Sequence, residues 1–240
     1  MKMSEILEIK EAIKKYVKNG SSVMFGGFLG SNTPLMAVDK LVELQISELT
    51  LISSTNSFPG GGFDIGLLFD HGLVKKFIGS HIGTNPTAVK QYIEDKLEVE
   101  YYPLGTFIEK VRCAAAGLGG ILTPVGVGTL IEKGKRIIKV EGKEYLLETP
   151  LKADIAIIKA QKSDKMGNLV YRGTPNASPI MAAAADITIA EVEEIVETGE
   201  ISPEEIQTPG IFINAICVGY SYEQYQYKMR QMWNRIYKFK

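Results

Sequence analysis

Three glycine-rich clusters are the segments of this 240-residue chain whose residue types and spacing could do chemistry. The first cluster, residues 26–32, follows an apolar run that predicts a buried strand. Glycines at such a strand end remove side chains, so that a long, thin ligand can approach backbone N–H groups. The chain contains neither G-x-G-x-x-G nor G-x-x-x-x-G-K-[ST], which disfavours a classical dinucleotide or P-loop site. We therefore expect a ligand-binding loop of another kind.

The other two clusters repeat this pattern further along the chain. The second cluster, residues 80–86, reads Ser-His-Ile-Gly-Thr-Asn-Pro, and the third, residues 117–120, reads Gly-Leu-Gly-Gly. A further glycine-rich stretch, Gly-Val-Gly-Thr at residues 126–129, comes soon after the third cluster. Each cluster alone is typical of a turn. Because all of them fall at predicted strand or helix ends, together they favour one shared cleft.

Few residues of the chain could act as nucleophiles or metal ligands. His71 and His81 have no partner at metal or triad spacing, and there is no G-x-S-x-G elbow. Cys113 falls in a predicted helix among alanines, which is typical of a buried structural thiol. An acidic run is interpreted as a solvated face, because clustered carboxylates normally face water. Its members are Glu191, Glu193, Glu194, Glu197 and Glu200.

Composition excludes several classes of protein. With 45% hydrophobic and 23% charged residues the chain has a globular composition. Its 27 basic and 28 acidic residues nearly cancel, so there is no net positive charge to attract a nucleic-acid backbone. The two cysteines form no CxxC pair, so no zinc site or disulfide framework is indicated. The first ten residues lack an apolar signal core, and no apolar stretch reaches about 18 residues. We expect a cytoplasmic protein without a membrane span.

Strands and helices alternate through the first half of the sequence. This order predicts an α/β fold with an open, mostly parallel, doubly wound sheet. The predicted strands cover residues 22–28, 49–54, 74–80 and 99–102, and the predicted helices cover residues 10–18, 35–44, 87–96 and 107–116. Thr33 is predicted to cap the second helix, and Thr106 with Glu109 forms a T-x-x-E capping box for the fourth.

The second half is less regular. Residues 137–140 and 145–147 predict a small β-hairpin or flap on the sheet, and residues 153–160, 187–190 and 211–216 predict further strands. Residues 168–171 are predicted to pair with the strand at 153–160, and residues 179–185 predict a short helix. No linker is visible, so we expect one domain over residues 1–219.

Residues 220–240 change in character, being aromatic and basic. Tyr225, Met229, Trp233 and Tyr237 recur every four residues and so share one side of a helix. This one-sided stripe favours a helix or tail docked on its own domain or on a partner subunit, rather than contact with a membrane or RNA.

Taken in order, these clusters resemble the alpha subunit of family I CoA-transferases, the 3-oxoacid type that includes acetate or butyrate:acetoacetate CoA-transferases. The residues that carry the resemblance are 26–30, 80–86, 116–124, 126–129, 153–159, 167–171, 186–196 and 208–210. The resemblance implies a ping-pong transfer of CoA between an acyl-CoA and a free carboxylate, with CoA as a substrate and no resident cofactor or metal. In that family a glutamate in a Ser-Glu-Asn-Gly motif of the beta subunit forms the covalent intermediates. This chain lacks that motif, so it supplies no catalytic nucleophile and requires a beta subunit, as in an α2β2-type hetero-oligomer.

The resemblance also implies which residues contact the substrates. The CoA-contacting loop would consist of Gly26, Gly27, Phe28, Leu29, Gly30, Ser31 and Asn32. The acyl pocket would be lined by Gly83, Asn85, Leu104, Gly119 and Gly120.

Four segments depart from the family pattern. Asn32 replaces a glycine, Leu104 replaces a glutamine, Ala114-Ala115 replace two glycines, and residues 176–179 read Asn-Ala-Ser-Pro in place of Asn-Phe-Asn-Pro. Replacing polar groups and adding methyls changes which acyl chains fit, because one methylene is worth about 1–3 kcal/mol in a hydrophobic pocket.

Two other functions fit the same elements. A sugar-phosphate isomerase or ligand-sensing module on a related sheet would need a carboxylate and a phosphate clamp in one cleft of this chain. Asp154 and Lys159 are the residues available for it, but they lie on or beside a buried strand without a phosphate loop. A scaffold whose glycines merely close turns is the third interpretation.

Overall fold

The computed structural model describes residues 4–237, which form seven α-helices and twelve strands within that range. The strands are β1 (Glu5–Ile6), β2 (Ser22–Phe25), β3 (Leu49–Ile52), β4 (Val74–Gly79), β5 (Glu98–Tyr101), β6 (Ile121–Thr123), β7 (Arg136–Val140), β8 (Lys143–Glu148), β9 (Ala153–Asp164), β10 (Leu169–Val170), β11 (Ala185–Val196) and β12 (Ala215–Val218). The helices are α1 (Ile9–Tyr16), α2 (Leu35–Glu43), α3 (Gly66–Asp70), α4 (Pro86–Ile93), α5 (Leu104–Ala115), α6 (Ser178–Ala184) and α7 (Tyr222–Tyr237).

The large sheet has the order β1-β12-β11-β9-β2-β3-β4-β5, and every neighbouring pair along it is parallel. Only β10 runs antiparallel, against the far end of β9. That end, beyond residue 160, extends the predicted strand and provides the partner expected for residues 168–171. The predicted α/β class with a mostly parallel sheet is confirmed.

Helices cover the sheet on both faces, because successive residues of a buried strand point in opposite directions. Val23 packs into a core with α1, α2, α3 and α4, whereas its neighbour Met24 packs into a second core with α5 and α6. The first predicted helix, at residues 10–18, is confirmed as α1, whose inner face carries the fully buried Ala12 and Ile13.

A second, antiparallel sheet of order β6-β8-β7 stands beside the large one. The predicted hairpin is its β7–β8 pair, while β6 was not predicted. Lys110 on α5 reaches Glu148 on β8 at 3.1 Å, and both side chains are buried. Glu148 also pairs with Lys135 through its other oxygen, whereas Glu148 is the ion-pair partner of the buried Lys110, so removing Glu148 would leave that ammonium unpaired. This ion pair fixes the small sheet to α5.

Two local predictions are wrong, and one helix was not predicted. The fourth predicted helix begins at Leu104, so Thr106 lies inside its first turn, buried and without a hydrogen-bond partner for its hydroxyl, rather than at a cap. The strand predicted at 211–216 begins only at Ala215, since Gly210–Phe212 forms a 3₁₀ turn. Helix α3 was missed because its five residues are too few to show a helical period.

The last helix, α7, packs back against the body of the chain through Tyr225 and Met232, which are buried. Residues 1–3 of the predicted domain (1–219) lie outside the described residues. Residues 238–240 of the predicted C-terminal segment (220–240) also lie outside them. Within residues 4–237, no helix has the length and apolar character needed to cross a membrane.

Candidate functional site

The sheet reverses its strand order between β2 and β9. From β2 the chain proceeds through β3 and β4 to β5 in one direction, and from β9 it proceeds through β11 to β12 in the other. Open parallel sheets bind ligands at such a reversal, in the crevice outside the carboxyl ends of the strands. Residues 26–32, which follow β2, lie at this position.

The loop after β2 is a tight, internally bonded turn. The Phe28 N–H donates to the Ser31 carbonyl at 2.9 Å, and the Ser31 N–H donates back at 3.0 Å. Between them Leu29 (φ 48°) and Gly30 (φ 81°) both adopt positive φ, as in the primed turns of hairpins. The amides of Gly27, Leu29 and Gly30 make no hydrogen bond with another residue of 4–237. These three N–H groups are the unpaired donors of the loop; Leu29 is half-buried, whereas Gly27 and Gly30 are buried, Gly30 beneath Met232 of α7.

Gly27 is the position at which this turn requires glycine. Its φ is +93°, and a Cβ there would lie 2.7 Å from the Ser31 carbonyl oxygen and 2.7 Å from the Thr33 hydroxyl. Real Cβ atoms do not approach other atoms so closely, so a side chain would force the loop apart.

The N-terminus of α2, directly after the loop, already holds an anion from the chain itself. The Glu191 carboxylate accepts from the Ala37 N–H at 2.9 Å and more weakly from the Met36 N–H at 3.4 Å. Burial raises the pKa of Glu191 to about 7, opposed by the Ala37 amide and by the charge of Lys159. A ligand phosphate therefore cannot use this helix end, although helix N-termini often bind phosphates.

The predicted Thr33 cap and part of the predicted solvated face are accordingly wrong. Helix α2 begins at Leu35 with Pro34 at its N-cap and no capping side chain, because Glu191 takes that role from β11. Glu191 is fully buried and the Glu193 side chain is 7% exposed, since β11 carries them into the molecule. The remaining members of the run are exposed, as predicted: Glu194, Glu197 and Glu200.

A chain of charges continues from Glu191 towards solvent. The buried Lys159 Nζ donates to Glu193 at 2.7 Å, and the other oxygen of Glu193 accepts from Arg172 Nη2 at 2.8 Å. Burial raises the pKa of Glu193, but its bonds to Arg172 and Lys159 outweigh burial and hold it below the usual range. Two aromatic rings cover the cations, Tyr225 at 4.6 Å from Lys159 and Tyr222 at 3.9 Å from Arg172.

Helix α7 packs against the loop after β2 and forms hydrogen bonds with it. The Tyr225 hydroxyl donates to the Gly30 carbonyl at 2.6 Å and accepts from the Thr33 N–H at 3.1 Å. Trp233 packs edge-on against Phe58 at 4.9 Å between ring centres. A cavity of about 690 Å³ remains between α7 and residues 172–174, and Ser31 and Asn32 form part of its wall.

Sequence reasoning missed the loop that follows β3. It ends in Gly60, Gly61 and Gly62, all at positive φ, and leads to the buried Asp64. The Asp64 carboxylate accepts from Phe58 N–H at 2.8 Å and from Gly66 N–H at 3.0 Å, and burial raises its pKa to about 7. Three consecutive glycines after a predicted strand were the available signal. The loop lies beside the first one, because Asp64 and Ile65 border the same narrow crevice as residues 26–29.

The five predicted pocket residues do not meet in one cavity of the described chain. Asn85 is fully buried, where it caps α4 by accepting from Ala88 N–H at 3.0 Å. Gly83 borders a shallow depression beside α4, and Leu104 lines a separate cavity of about 720 Å³ between α5 and β6. Gly119 and Gly120 precede β6. Their common role in an acyl pocket stays a prediction.

Two of the departures from the family pattern have structural consequences at the loop. Asn32, with φ +52°, donates from Nδ2 to the carbonyls of Arg172 at 2.9 Å and Thr174 at 2.7 Å, which ties the loop to residues 172–174. The Ser178 hydroxyl is buried without a partner and lies where a Cβ on Gly26 would be 2.5 Å away. Gly26 therefore has no room for a side chain.

The other chemically reactive residues do not join the site. Cys113 is buried, as predicted, with its thiol donating to the Leu118 carbonyl at 3.4 Å. His81 is exposed at the end of β4. No group of three or more His, Cys, Asp or Glu side chains within residues 4–237 is placed to hold a metal ion.

Comparison with known proteins shows the family to which the chain belongs. The sequence model of the coenzyme A transferase family matches residues 6–219. The chain is 47% identical to the acetate CoA-transferase subunit alpha of Escherichia coli K12, covering 85% of this chain and 92% of that protein. It is 46% identical to the acetoacetyl-CoA:acetate/butyrate CoA transferase alpha subunit of Clostridium acetobutylicum, covering 86% and 94%.

Solved structures show the same fold. The glutaconate coenzyme A-transferase of Acidaminococcus fermentans superposes with a TM-score of 0.80 at 25% identity, over 90% of this chain and 75% of that one. The chain therefore belongs to the coenzyme A transferase family and is a subunit of a CoA-transferase. The sugar-phosphate isomerase and ligand-sensing alternatives receive no support from these matches.

Proposed function

We propose that this chain is the alpha subunit of a transferase that moves CoA between an acyl-CoA and a free short-chain carboxylate. The observation that carries the proposal is the similarity over more than nine tenths of two relatives named as alpha subunits, one for acetate and one for acetoacetyl-CoA with acetate or butyrate. The proposed substrates are therefore an acyl-CoA of the short-chain or 3-oxoacyl class and a small carboxylate.

The reaction proceeds in two half-reactions on a glutamate of a separate beta subunit. The glutamate carboxylate attacks the thioester carbonyl, forming an acyl-glutamyl anhydride and releasing the CoA thiolate. The thiolate then attacks the glutamyl carbonyl, giving a glutamyl-CoA thioester and the free carboxylate product. The incoming carboxylate reverses both steps and leaves as a new acyl-CoA. Neither Ser-Glu pair of this chain is followed by Asn-Gly, which supports a nucleophile from another chain.

In this scheme the loop after β2 binds CoA through its backbone. The amides of Gly27, Leu29 and Gly30 are unpaired within residues 4–237 and are held in position by the turn and by Tyr225. Donors fixed before the ligand arrives need no reorganisation when charge develops, which is the basis of oxyanion-type stabilisation. The loop thus supplies the CoA-contacting wall formed by residues 26–32.

The working assembly is a hetero-oligomer of the α2β2 type. Both relatives carry the word alpha in their names, which supports a second kind of chain. We expect the isolated alpha chain to be inactive.

The acyl pocket is proposed to include Leu104, whose side chain is 48% exposed and lines the cavity between α5 and β6. Leu104→Gln restores a polar group there, so the ratio of rates for acetate, butyrate and 3-oxoacid acceptors should change. Leu118→Gln is the matched control, because Leu118 is 56% exposed and lies outside that cavity. Equal rate ratios in the two variants would exclude Leu104 from the pocket.

The direct test is to co-express this chain with a beta chain that contains Ser-Glu-Asn-Gly, such as one encoded next to it. Consumption of acetoacetyl-CoA is followed with a panel of short carboxylates, and each chain alone serves as a control. Activity in the mixture only is the expected result. A well-formed complex that transfers CoA to none of the carboxylates would contradict the proposal.

A further inference from the structure

The cavity between α7 and residues 172–174 has no role in the mechanism described so far. One of its walls is α7, which lies beyond residues 6–219, the part matched by the family. We propose that this cavity binds the nucleotide end of the CoA substrate, its adenine ring and phosphates. The assignment rests on the proposed function, since it takes CoA to be the ligand of the neighbouring loop.

The charge of the lining favours a phosphorylated ligand. Two guanidinium groups, those of Arg172 and Arg230, face one carboxylate, that of Glu193. Arg172 uses Nε and Nη2 to bind Glu193, which leaves its Nη1 uncommitted. The Arg230 side chain is exposed and makes no hydrogen bond or ion pair with any residue of 4–237. A guanidinium binds phosphate oxygens in a bidentate manner, so Arg230 is the residue that would bind the phosphates.

The remaining lining suits a planar base. Trp233 is more than a third exposed and lines the cavity, as does Tyr222, whose ring is covered on one face by the Arg172 guanidinium at 3.9 Å. Asn234, on the same helix, places a side-chain amide in the lining, and so does Gln226, whose Nε2 donates to the Tyr222 hydroxyl at 2.6 Å. Aromatic faces bind bases by stacking, and amides pair with the polar edges of bases.

The volume of the cavity and its continuity with the loop after β2 also fit a nucleotide ligand. About 690 Å³ lies within the roughly 300–1,000 Å³ of small-molecule sites. Ser31 and Asn32 belong both to the cavity wall and to the predicted CoA loop, so a ligand leaving the cavity runs directly onto that loop. A long ligand with its nucleotide in the cavity would therefore lay its pantetheine arm beside the half-buried, unpaired amide of Leu29.

Trp233 gives a direct readout, because it is the single tryptophan of the chain and lies in the cavity wall. The full-length protein is titrated with adenosine 3′,5′-bisphosphate while Trp233 fluorescence is followed; adenosine, inorganic pyrophosphate and pantetheine are titrated in parallel. We expect saturable binding of the bisphosphate. Adenosine and pyrophosphate should bind more weakly, because adenosine lacks the phosphates and pyrophosphate lacks the base.

Arg230→Ala should weaken bisphosphate binding about tenfold or more, because a charge-assisted hydrogen bond is lost. Its thermal unfolding should be unchanged, since Arg230 has no partner in residues 4–237. Arg136→Ala, an exposed arginine of the small sheet, is the matched control and should bind as the unaltered protein does. Equal affinity of the Arg230→Ala and Arg136→Ala variants, or pyrophosphate binding as tightly as the bisphosphate, would overturn the assignment.

The complex with the beta chain separates this inference from the proposed function. There, Arg230→Ala should raise KM for the acyl-CoA about tenfold and leave KM for the carboxylate and kcat unchanged, since only binding of the nucleotide end is lost. An active complex with an unchanged acyl-CoA KM refutes the nucleotide site alone. Bisphosphate binding at Trp233 together with an inactive complex supports the nucleotide site and refutes the transferase function.

Discussion

Replacing Gly27 with alanine tests whether the loop after β2 depends on the absence of a side chain. Alanine at φ +93° carries a conformational penalty of about 1–2 kcal/mol. The added Cβ would also lie 2.7 Å from Ser31 O and 2.8 Å from the Asn32 carbonyl carbon. Overpacking of this kind costs about 1–3 kcal/mol, so the total loss in the free energy of unfolding should be about 2–5 kcal/mol.

Gly20→Ala is the matched control for this substitution. Gly20 has a similar φ of +82°, but no atom lies within 4 Å of the Cβ that it would gain. It should therefore show only the conformational part, about 1–2 kcal/mol. Urea unfolding of both variants gives the difference between them, which is the contribution of the close contacts. If Gly27→Ala is no more destabilising than Gly20→Ala, the packing described for the loop is wrong.

Three further substitutions test the surroundings of the loop. Glu191→Gln should remove a pH dependence: with a folded pKa of about 7 against 4.5, the acid form stabilises the protein below about pH 4.5, and about 3 kcal/mol is lost as pH rises through 7. In urea unfolding, the free energy of unfolding of the variant relative to that of the unaltered protein should thus be higher at pH 8 than at pH 5. The same difference at both pH values would refute this. Tyr225→Phe removes the bonds to Gly30 and Thr33 and should lower the free energy of unfolding by about 1–3 kcal/mol, whereas an unchanged urea midpoint would show that α7 does not hold the loop. Ser178→Ala should be neutral or stabilising, because its buried hydroxyl has no partner, and a loss above 1 kcal/mol, measured in the same way, would mean that the hydroxyl is bonded.

The periodic parts of the sequence predicted the fold, because buried parallel strands and amphipathic helices have distinct patterns. Val23 and Met24 illustrate this: a continuous apolar run correctly indicated a strand that is covered on both faces. The position of the glycine loop at the end of β2 followed for the same reason.

The electrostatic part of the site could not be predicted in this way. Glu191 and Glu193 look like surface residues in sequence, and only the pairing of β11 with β9 places them beside Lys159. Likewise Tyr225 lies 195 residues from the Gly30 carbonyl that it binds. Contacts between such distant residues depend on topology, about which local spacing carries no information.

The distance in sequence between Tyr225 and the loop has a consequence for the order in which the protein folds during its synthesis. Strands β2, β3, β4 and β5 pair in the order of their synthesis, so this half of the sheet can form while the chain is still emerging from the ribosome. By contrast, β1 pairs with β12, and α7 reaches the loop only after residue 225 has been translated. A nascent chain therefore carries the glycine loop uncovered for most of its synthesis. A product terminated before α7 would keep the strands of the large sheet but lack the Tyr225 bonds that hold the loop.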